Sequence, residues 1–362
     1  MKTLSAIAGG DARGPGPALG CVAVPLLGSD IGAPLERLFA LWADDRFLPA
    51  LSASAPRPQL LIMANNADDA ALARARALYD AQPRLARCFA GLTVKSADLA
   101  ADRDLYTRRT GDDRGAFGTR AGPNFLFHAT LRAAGALCAP GDFCLQIELD
   151  CLPVQAGWLA DVQAVIDAHP RAWVVGAQYA GRCETWAGVR FELGQDIQLH
   201  LNGNALYRVG HAAFRRFLDR VWMPRLMMWA RSRRDLAYDC WWALERSQAS
   251  AMANNESWAL VQRYDSFFQA DPFLVNLVSP PEAAREYLAV HDRVARLGPA
   301  PVFFHGRAMN AVTGLLLEDP EADLFTAIDR LSPPLDGSAR PMRPAPRRAA
   351  PGDPADPPQA GL

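Results

Sequence analysis

The sequence predicts an α/β protein with a mostly parallel central sheet flanked by helices. Three observations carry this reading. Short apolar runs of buried-strand type alternate with amphipathic helical segments through the first half of the chain. The most strand-like run, FCLQIELDCLPV at 143–154, ends in two carboxylates and a proline. The chain has 362 residues, 50% hydrophobic and 21% charged, which is globular composition with apolar side chains enough for a large core.

Taken in order, residues 1–19 are rich in Gly, Pro and Ala and are read as a flexible N-terminus. CVAVPLL (21–27) is a buried strand. Residues 33–43 are a helix, with Leu35, Leu38, Phe39 and Trp42 at helical spacing. PQLLIMANNADD (58–69) is a second strand running into a turn, where Asp68 can cap a helix that continues to Tyr79. Residues 92–120 are polar, with Arg108, Arg109, Arg114 and Arg120, and read as a long loop. AGPNFLFHATLRAAGAL (121–137) reads as a helix with Phe125, Ala129 and Leu131 inward. A helix after Gly157 carries Trp158, Leu159, Val162, Val165 and Ile166 on one face, and RAWVVGAQ (171–178) is another strand. Helices are expected from His211 to Trp222, interrupted by Pro224, and from about Asp235 to Ser247; FLVNLVS (273–279) and PVFFH (301–305) are late strands. From residue 332 the Pro-, Ala- and Arg-rich tail is expected to be disordered.

Net charge is −1, from 38 basic and 39 acidic residues, so no global field favours nucleic acid. The basic residues are Arg apart from Lys2 and Lys95, which suits phosphate and carboxylate forks. The seven cysteines, Cys21, Cys88, Cys138, Cys144, Cys151, Cys183 and Cys240, form no C-x-x-C pair. That argues for buried free thiols in a reducing compartment and against a disulfide framework or structural zinc site. No apolar run reaches membrane-spanning length and the N-terminus is a poor signal peptide, so a cytoplasmic protein is expected. The stretch FRRFLDRVWMPRLMMWARSRR (214–234) is expected to pack in the core with a solvated Arg face; peripheral contact with a membrane surface is the alternative.

The acidic strand end poses a chemical question. On a continuous strand Leu145, Ile147 and Leu149 share one face, and Gln146, Glu148 and Asp150 the other. The two carboxylates then lie about 6–7 Å apart. Like charges that close repel unless a cation sits between them. The plain alternative is a strand leaving the core with its last polar residues in water.

Four local features follow one another: Glu148-x-Asp150; His200-Leu-Asn202-Gly203-Asn204-Ala-Leu-Tyr207; Tyr238-Asp239 beside Trp241 and Trp242; and Phe303-Phe304-His305-Gly306-Arg307. In this order they resemble the landmarks of GT-A fold glycosyltransferases, which use nucleotide-diphosphosugar donors. E-L-D stands where D-x-D is commonest. The contexts ELDCLPVQAGWL, HLNGNALY and FFHGR are similar to those of bacterial members, over residues 20–310.

The resemblance implies a GT-A-like sheet, a nucleotide-sugar-binding half at 20–155 and an acceptor-binding half of the same domain at 156–331. It implies a divalent cation, Mn²⁺ or Mg²⁺, with Asp150 and His305 as protein ligands and Glu148 reaching the ribose or a metal-bound water. The Asn202-Gly203-Asn204 turn would meet the sugar or acceptor. Asp239 would take the acceptor's proton, with inversion at the sugar carbon. Pro25, Asn65, Asn66 and Asp68 would contact the base and ribose of a UDP- or GDP-sugar, and Arg120 and Asn124 the phosphates; turn chemistry accounts for the same residues without a ligand. The acceptor is a hydroxyl on a glycan, a lipid-linked glycan or a small molecule. Two other readings keep some of the same residues: a non-catalytic sugar- or nucleotide-binding relative, and a metal-dependent phosphate hydrolase.

Overall fold

The computed structural model describes residues 16–51, 55–106, 115–181 and 199–332. The expected flexible N-terminus through residue 15, the tail from residue 333, Arg108, Arg109, Arg114 and Cys183 lie outside the described residues.

The main sheet is built from β1 (Leu19–Leu27), β2 (Gln59–Asn65), β3 (Gly91–Ser96), β4 (Phe143–Gln146), β6 (Val174–Gly176), β7 (Ala205–Tyr207) and β8 (Phe268–Ala270), in the order β3-β2-β1-β4-β7-β6-β8. β7 runs antiparallel to both its neighbours, and the other pairs are parallel. A smaller sheet joins β5 (Cys151–Pro153), β10 (Phe303–His305) and β9 (Leu274–Asn276) in that order, with β10 antiparallel to β5 and parallel to β9. The helices are α1 (Ala33–Ala43), α2 (Asp69–Asp80), α3 (Pro83–Ala86), α4 (Ala121–Gly135), α5 (Trp158–Ala168), α6 (Ala212–Phe217), α7 (Met223–Ala230), α8 (Trp241–Ala251), α9 (Glu256–Tyr264), α10 (Arg285–Ala295), α11 (Ala308–Glu318) and α12 (Leu324–Leu331). The expected α/β class and mostly parallel sheet are therefore found, and the two halves of the chain share that sheet.

Alternation along the buried strands sorts the core. Val22, Val24, Leu60, Ile62, Phe143 and Leu145 face α1, α2 and α5, where Phe39, Trp42, Tyr79 and Trp158 pack. Cys21, Ala23, Leu61, Met63 and Cys144 face the opposite layer, against Phe127, Phe214, Phe217, Trp222 and Trp241. A third cluster joins the small sheet to α10, α11 and α12 through Leu152, Val275, Tyr287, Phe304, Met309 and Ile328. Most apolar residues of 214–230 are thus spent on the core, with Met228 exposed, and no described helix is long and apolar enough to cross a membrane.

The structure departs from the sequence reading in several places. Residues 92–96, read as the start of a loop, belong to β3, because the edge of β2 pairs with them. On α4 the inward residues are Leu126, Phe127, Leu131 and Ala134, while Phe125 and Ala129 are only partly buried. The helix from residue 212 does not stop before Pro224. It widens into a π-turn over Leu218–Trp222 and continues as α7, with Pro224 directly after the π-turn. The next helix starts at Trp241 rather than near Asp235. The carbonyls of Arg234 and Leu236 instead accept bonds from Thr119 and Asn124 at the start of α4, which holds 235–240 in turns.

Candidate active site

The acidic motif is not on a strand. β4 ends at Gln146, and the Cys151 N–H donates to the Glu148 carbonyl (3.1 Å), closing a tight turn before β5. The turn, rather than strand alternation, brings the two carboxylates together. Register on the small sheet supplies the third group: His305 pairs with Cys151 on one side and Asn276 on the other. His305 Nε2 stands 3.3 Å from Glu148 Oε2 and 3.4 Å from Asp150 Oδ1. Donor atoms from all three residues lie within 4.8 Å of one another. The other imidazole nitrogen, Nδ1, is 3.2 Å from Asn276 Oδ1. A bond donated there aims Nε2 at the carboxylates, the arrangement seen around metal-ligating histidines.

Backbone detail keeps His305 in place. Gly306 has φ +135°, and a Cβ on it would run into the Leu277 carbonyl and the Tyr287 hydroxyl. The Gly306 N–H reaches the Asp150 carbonyl at 3.3 Å, and the Tyr287 hydroxyl donates to the His305 carbonyl at 3.0 Å. Burial works to lower the His305 pKa, but the charge and hydrogen bond of Asp150, then those of Glu148, outweigh it and push it up to about 10. Two carboxylates and an imidazole that close are a donor set suited to a hard or borderline divalent cation.

The Asn202-Gly203-Asn204 turn braces the acidic motif from the other side. Asn204 Oδ1 accepts the Glu148 N–H at 2.5 Å, and Asn204 Nδ2 donates to Asn202 Oδ1 at 2.8 Å and lies 3.4 Å from Glu148 Oε2. Gly203 is required by close approach, not by a positive φ: a Cβ there would overlap the Tyr238 hydroxyl. The buried Gln146 donates to the Gly203 carbonyl (3.1 Å) and the Tyr238 hydroxyl (3.0 Å), and the Tyr238 ring stacks on Phe127 at 4.0 Å.

A cavity of about 600 Å³ opens beside this turn, between the carboxyl ends of β1 and β4. The chain leaves β1 toward β2 on one side and has β4 on the other, so this is where the strand order reverses. The β1–β4 ladder ends at Ala23, which exposes the β1 edge at Pro25, Leu26 and Leu27. Glu148, Asp150, Tyr106, Tyr238, Arg37 and Asn310 also line the cavity.

Pro25, Glu148 and Asp150 are thus brought to one cavity, and His305 to its acidic turn. Asn65, Asn66, Asp68, Arg120 and Asn124 do not line it. Asn65 and Asn66 donate to Asp104, and Asn65 also to the Tyr106 hydroxyl (3.1 Å), so they hold the segment that carries Tyr106. Asp68 caps α2 by accepting the Ala71 N–H at 2.8 Å. Arg120 occupies the cap position of α4, and Asn124 is buried with its amide on the Leu236 carbonyl. Asp239 lies in the turn before α8, beside His200, and is also outside the cavity wall. Asp30, which also lines the cavity, Tyr106, Arg37, Asn310 and Asn276 escaped the sequence reading. Asn276 had a visible signal, since it is the polar residue inside an apolar strand run, FLVNLVS. Arg37 and Asn310 are polar positions on amphipathic helices and carry no local mark.

No family model matches the chain, and no curated protein matches it. Among solved structures, the fold is similar to mouse xyloside xylosyltransferase 1 in its apo form, at 13% identity and a TM-score of 0.43, covering 80% of this chain and 98% of that one. It is similar to the bifunctional glycosyltransferase WbbM in its apo form, at 13% identity and a TM-score of 0.39, covering 80% of this chain and 45% of that one. It is similar as well to the mannosyltransferase PcManGT from Pyrobaculum calidifontis, solved with GDP-Man and Mn²⁺, at 15% identity and a TM-score of 0.33, covering 80% of this chain and 70% of that one. The chain is similar in fold to these glycosyltransferases.

Proposed function

We propose that the chain is a metal-dependent glycosyltransferase that moves a sugar from a UDP- or GDP-linked donor to a hydroxyl acceptor. The observation that carries the proposal is the meeting of Glu148, Asp150 and His305, from segments far apart in sequence, at the edge of a cavity where the strand order reverses.

Asp150 and His305 are the cation's protein ligands in this reading, with Glu148 a third ligand or a partner of the donor ribose. Held by these residues, a divalent cation would supply positive charge to offset the charge that grows on a departing diphosphate. The protein's own part is orientation. Asn276 holds the His305 ring, and Asn204 holds the Glu148 backbone, so both sides of the cation site are fixed before substrate arrives. Pro25, Leu26, Leu27 and Tyr106 offer apolar and aromatic surface for the base, and Arg37 offers a guanidinium to the phosphates or the acceptor. Inversion would need a carboxylate facing the acceptor hydroxyl. The anomeric configuration of the product, read from its proton coupling by NMR, decides between inversion and retention.

The test is a thermal-shift screen of UDP and GDP with and without Mn²⁺. One of them is expected to raise the midpoint in a Mn²⁺-dependent way, since ligand bound to the native state stabilises it by mass action, by about 2.7 kcal/mol at 100 times Kd. Asp150→Asn is expected to abolish the metal-dependent part. No shift with either nucleotide would overturn the donor-site reading.

A further inference from the structure

A second set of metal-ligating side chains lies outside the cavity wall. His200, Asp239 and Cys240 bring an imidazole nitrogen, a carboxylate oxygen and a sulfur within 4.8 Å of one another. His200 is buried, at 4% exposure, and Asp239 and Cys240 are partly buried. His200 Nε2 stands 3.8 Å from Asp239 Oδ2. That is too long for a hydrogen bond. It is close to the separation of two ligands on one ion: metal–ligand bonds of about 2.0–2.3 Å set tetrahedral ligands about 3.3–3.7 Å apart. The 3.3 and 3.4 Å separations around His305 are of the same kind.

We propose that His200, Asp239 and Cys240 bind a zinc ion that ties residues 199–204 to residues 238–240. The donor set decides the metal. The first site offers two oxygens and a nitrogen, which suit manganese or magnesium; this one adds a sulfur, which selects a softer ion. Charge also fits, because a thiolate and a carboxylate neutralise Zn²⁺. Only a thiolate ligates a metal, so the Cys240 thiol must give up its proton to bind. Binding therefore exchanges that proton for the metal: the S–H bond breaks, a Zn–S bond forms and the proton leaves to solvent, with nothing oxidised or reduced.

The two tied segments are those that frame the first site. Residues 202–204 hold Glu148, and Tyr238 meets Gln146 and packs over Gly203. An ion joining them stiffens that frame. The role also takes Asp239 away from the acceptor proton that the sequence reading assigned to it.

The experiment uses the full chain, stripped with chelator and titrated with Co²⁺, then Zn²⁺. A thiolate-to-cobalt charge-transfer band in the near ultraviolet is expected in the wild type and in His305→Ala, and is expected to vanish in Cys240→Ser. Zn²⁺ should quench the band, and desalted protein should retain one zinc per chain in the wild type and in His305→Ala. His200→Gln, which keeps a polar side chain in place, should lose that zinc and covers the case in which Cys240→Ser does not fold. Absence of the band in the wild type, its persistence in Cys240→Ser, or full zinc content in His200→Gln would overturn the proposal. So would Asp239→Asn that keeps band and zinc yet loses transfer, since Asp239 would then act as the base.

Discussion

Position 276 shows how much of the candidate site depends on a single amide. His305 reaches the acidic turn with Nε2 because its other nitrogen faces Asn276 Oδ1. Asn276→Ala frees the ring to rotate without touching any atom of the proposed cation site. Mn²⁺ affinity is expected to fall by about 10- to 100-fold, measured by the paramagnetic signal of free Mn²⁺, with the fold unchanged by circular dichroism. Asn276→Asp should retain the bond and most of the affinity. A wild-type affinity in Asn276→Ala would show that the ring is held by packing alone. At this scale the acidic pair and His305 were legible in the sequence because their residue types are unusual at the ends of apolar runs. Asn202 and Asn204 were legible as a turn but not as the brace on Glu148, because that bond spans 56 residues.

Among the elements, the junction of α7 and α8 is held by one buried carboxylate. Glu245 accepts from Arg225 Nε (2.9 Å) and Nη2 (2.9 Å), from Trp229 Nε1 (2.9 Å) and from Trp241 Nε1 (3.0 Å). Burial works to raise its pKa, but the bonds from Arg225, Ser257 and Trp229 prevail and hold it below the usual Glu value. A depressed carboxylate contributes stability that is fully present above its unfolded pKa, about 4.3, and is lost as pH falls through the folded value. The wild type should therefore lose stability below that pH more steeply than Glu245→Gln, as read from urea midpoints across an acid series. Glu245→Ala takes from Arg225 its buried partner and leaves it only the exposed Glu256 carboxylate and Ser257, so a cost of about 3 kcal/mol at neutral pH is expected. Gly306, between β10 and α11, makes a second test. Gly306→Ala combines a left-handed φ with a collision against the Leu277 carbonyl, so a loss of about 1–3 kcal/mol is expected, together with a loss of Mn²⁺ binding as His305 shifts. A variant as stable as the wild type would mean that this backbone relaxes freely.

On the scale of the whole molecule, three packed clusters hold the strands so that β1, β4 and the acidic turn leading into the small sheet converge on one cavity. If the cavity and acidic turn work as one site, Mn²⁺ and the nucleotide should bind cooperatively: each should raise the midpoint further in the presence of the other than alone. Strictly additive shifts would separate the cation site from the cavity.

The sequence by itself determined the α/β class, β1, β2 and the helices α1, α2, α4 and α5 of the first half, and the identity of the acidic pair and late histidine. Those are local properties, set by the spacing of apolar residues and by the cost of placing charge next to them. Only the tertiary structure decided that the acids sit in a turn, that β10 pairs with β5 to bring His305 beside them, and that His200 meets Asp239 and Cys240. The reason is that strand register and loop contacts between distant segments are selected by how well whole faces pack. No periodicity within a single stretch encodes that fit.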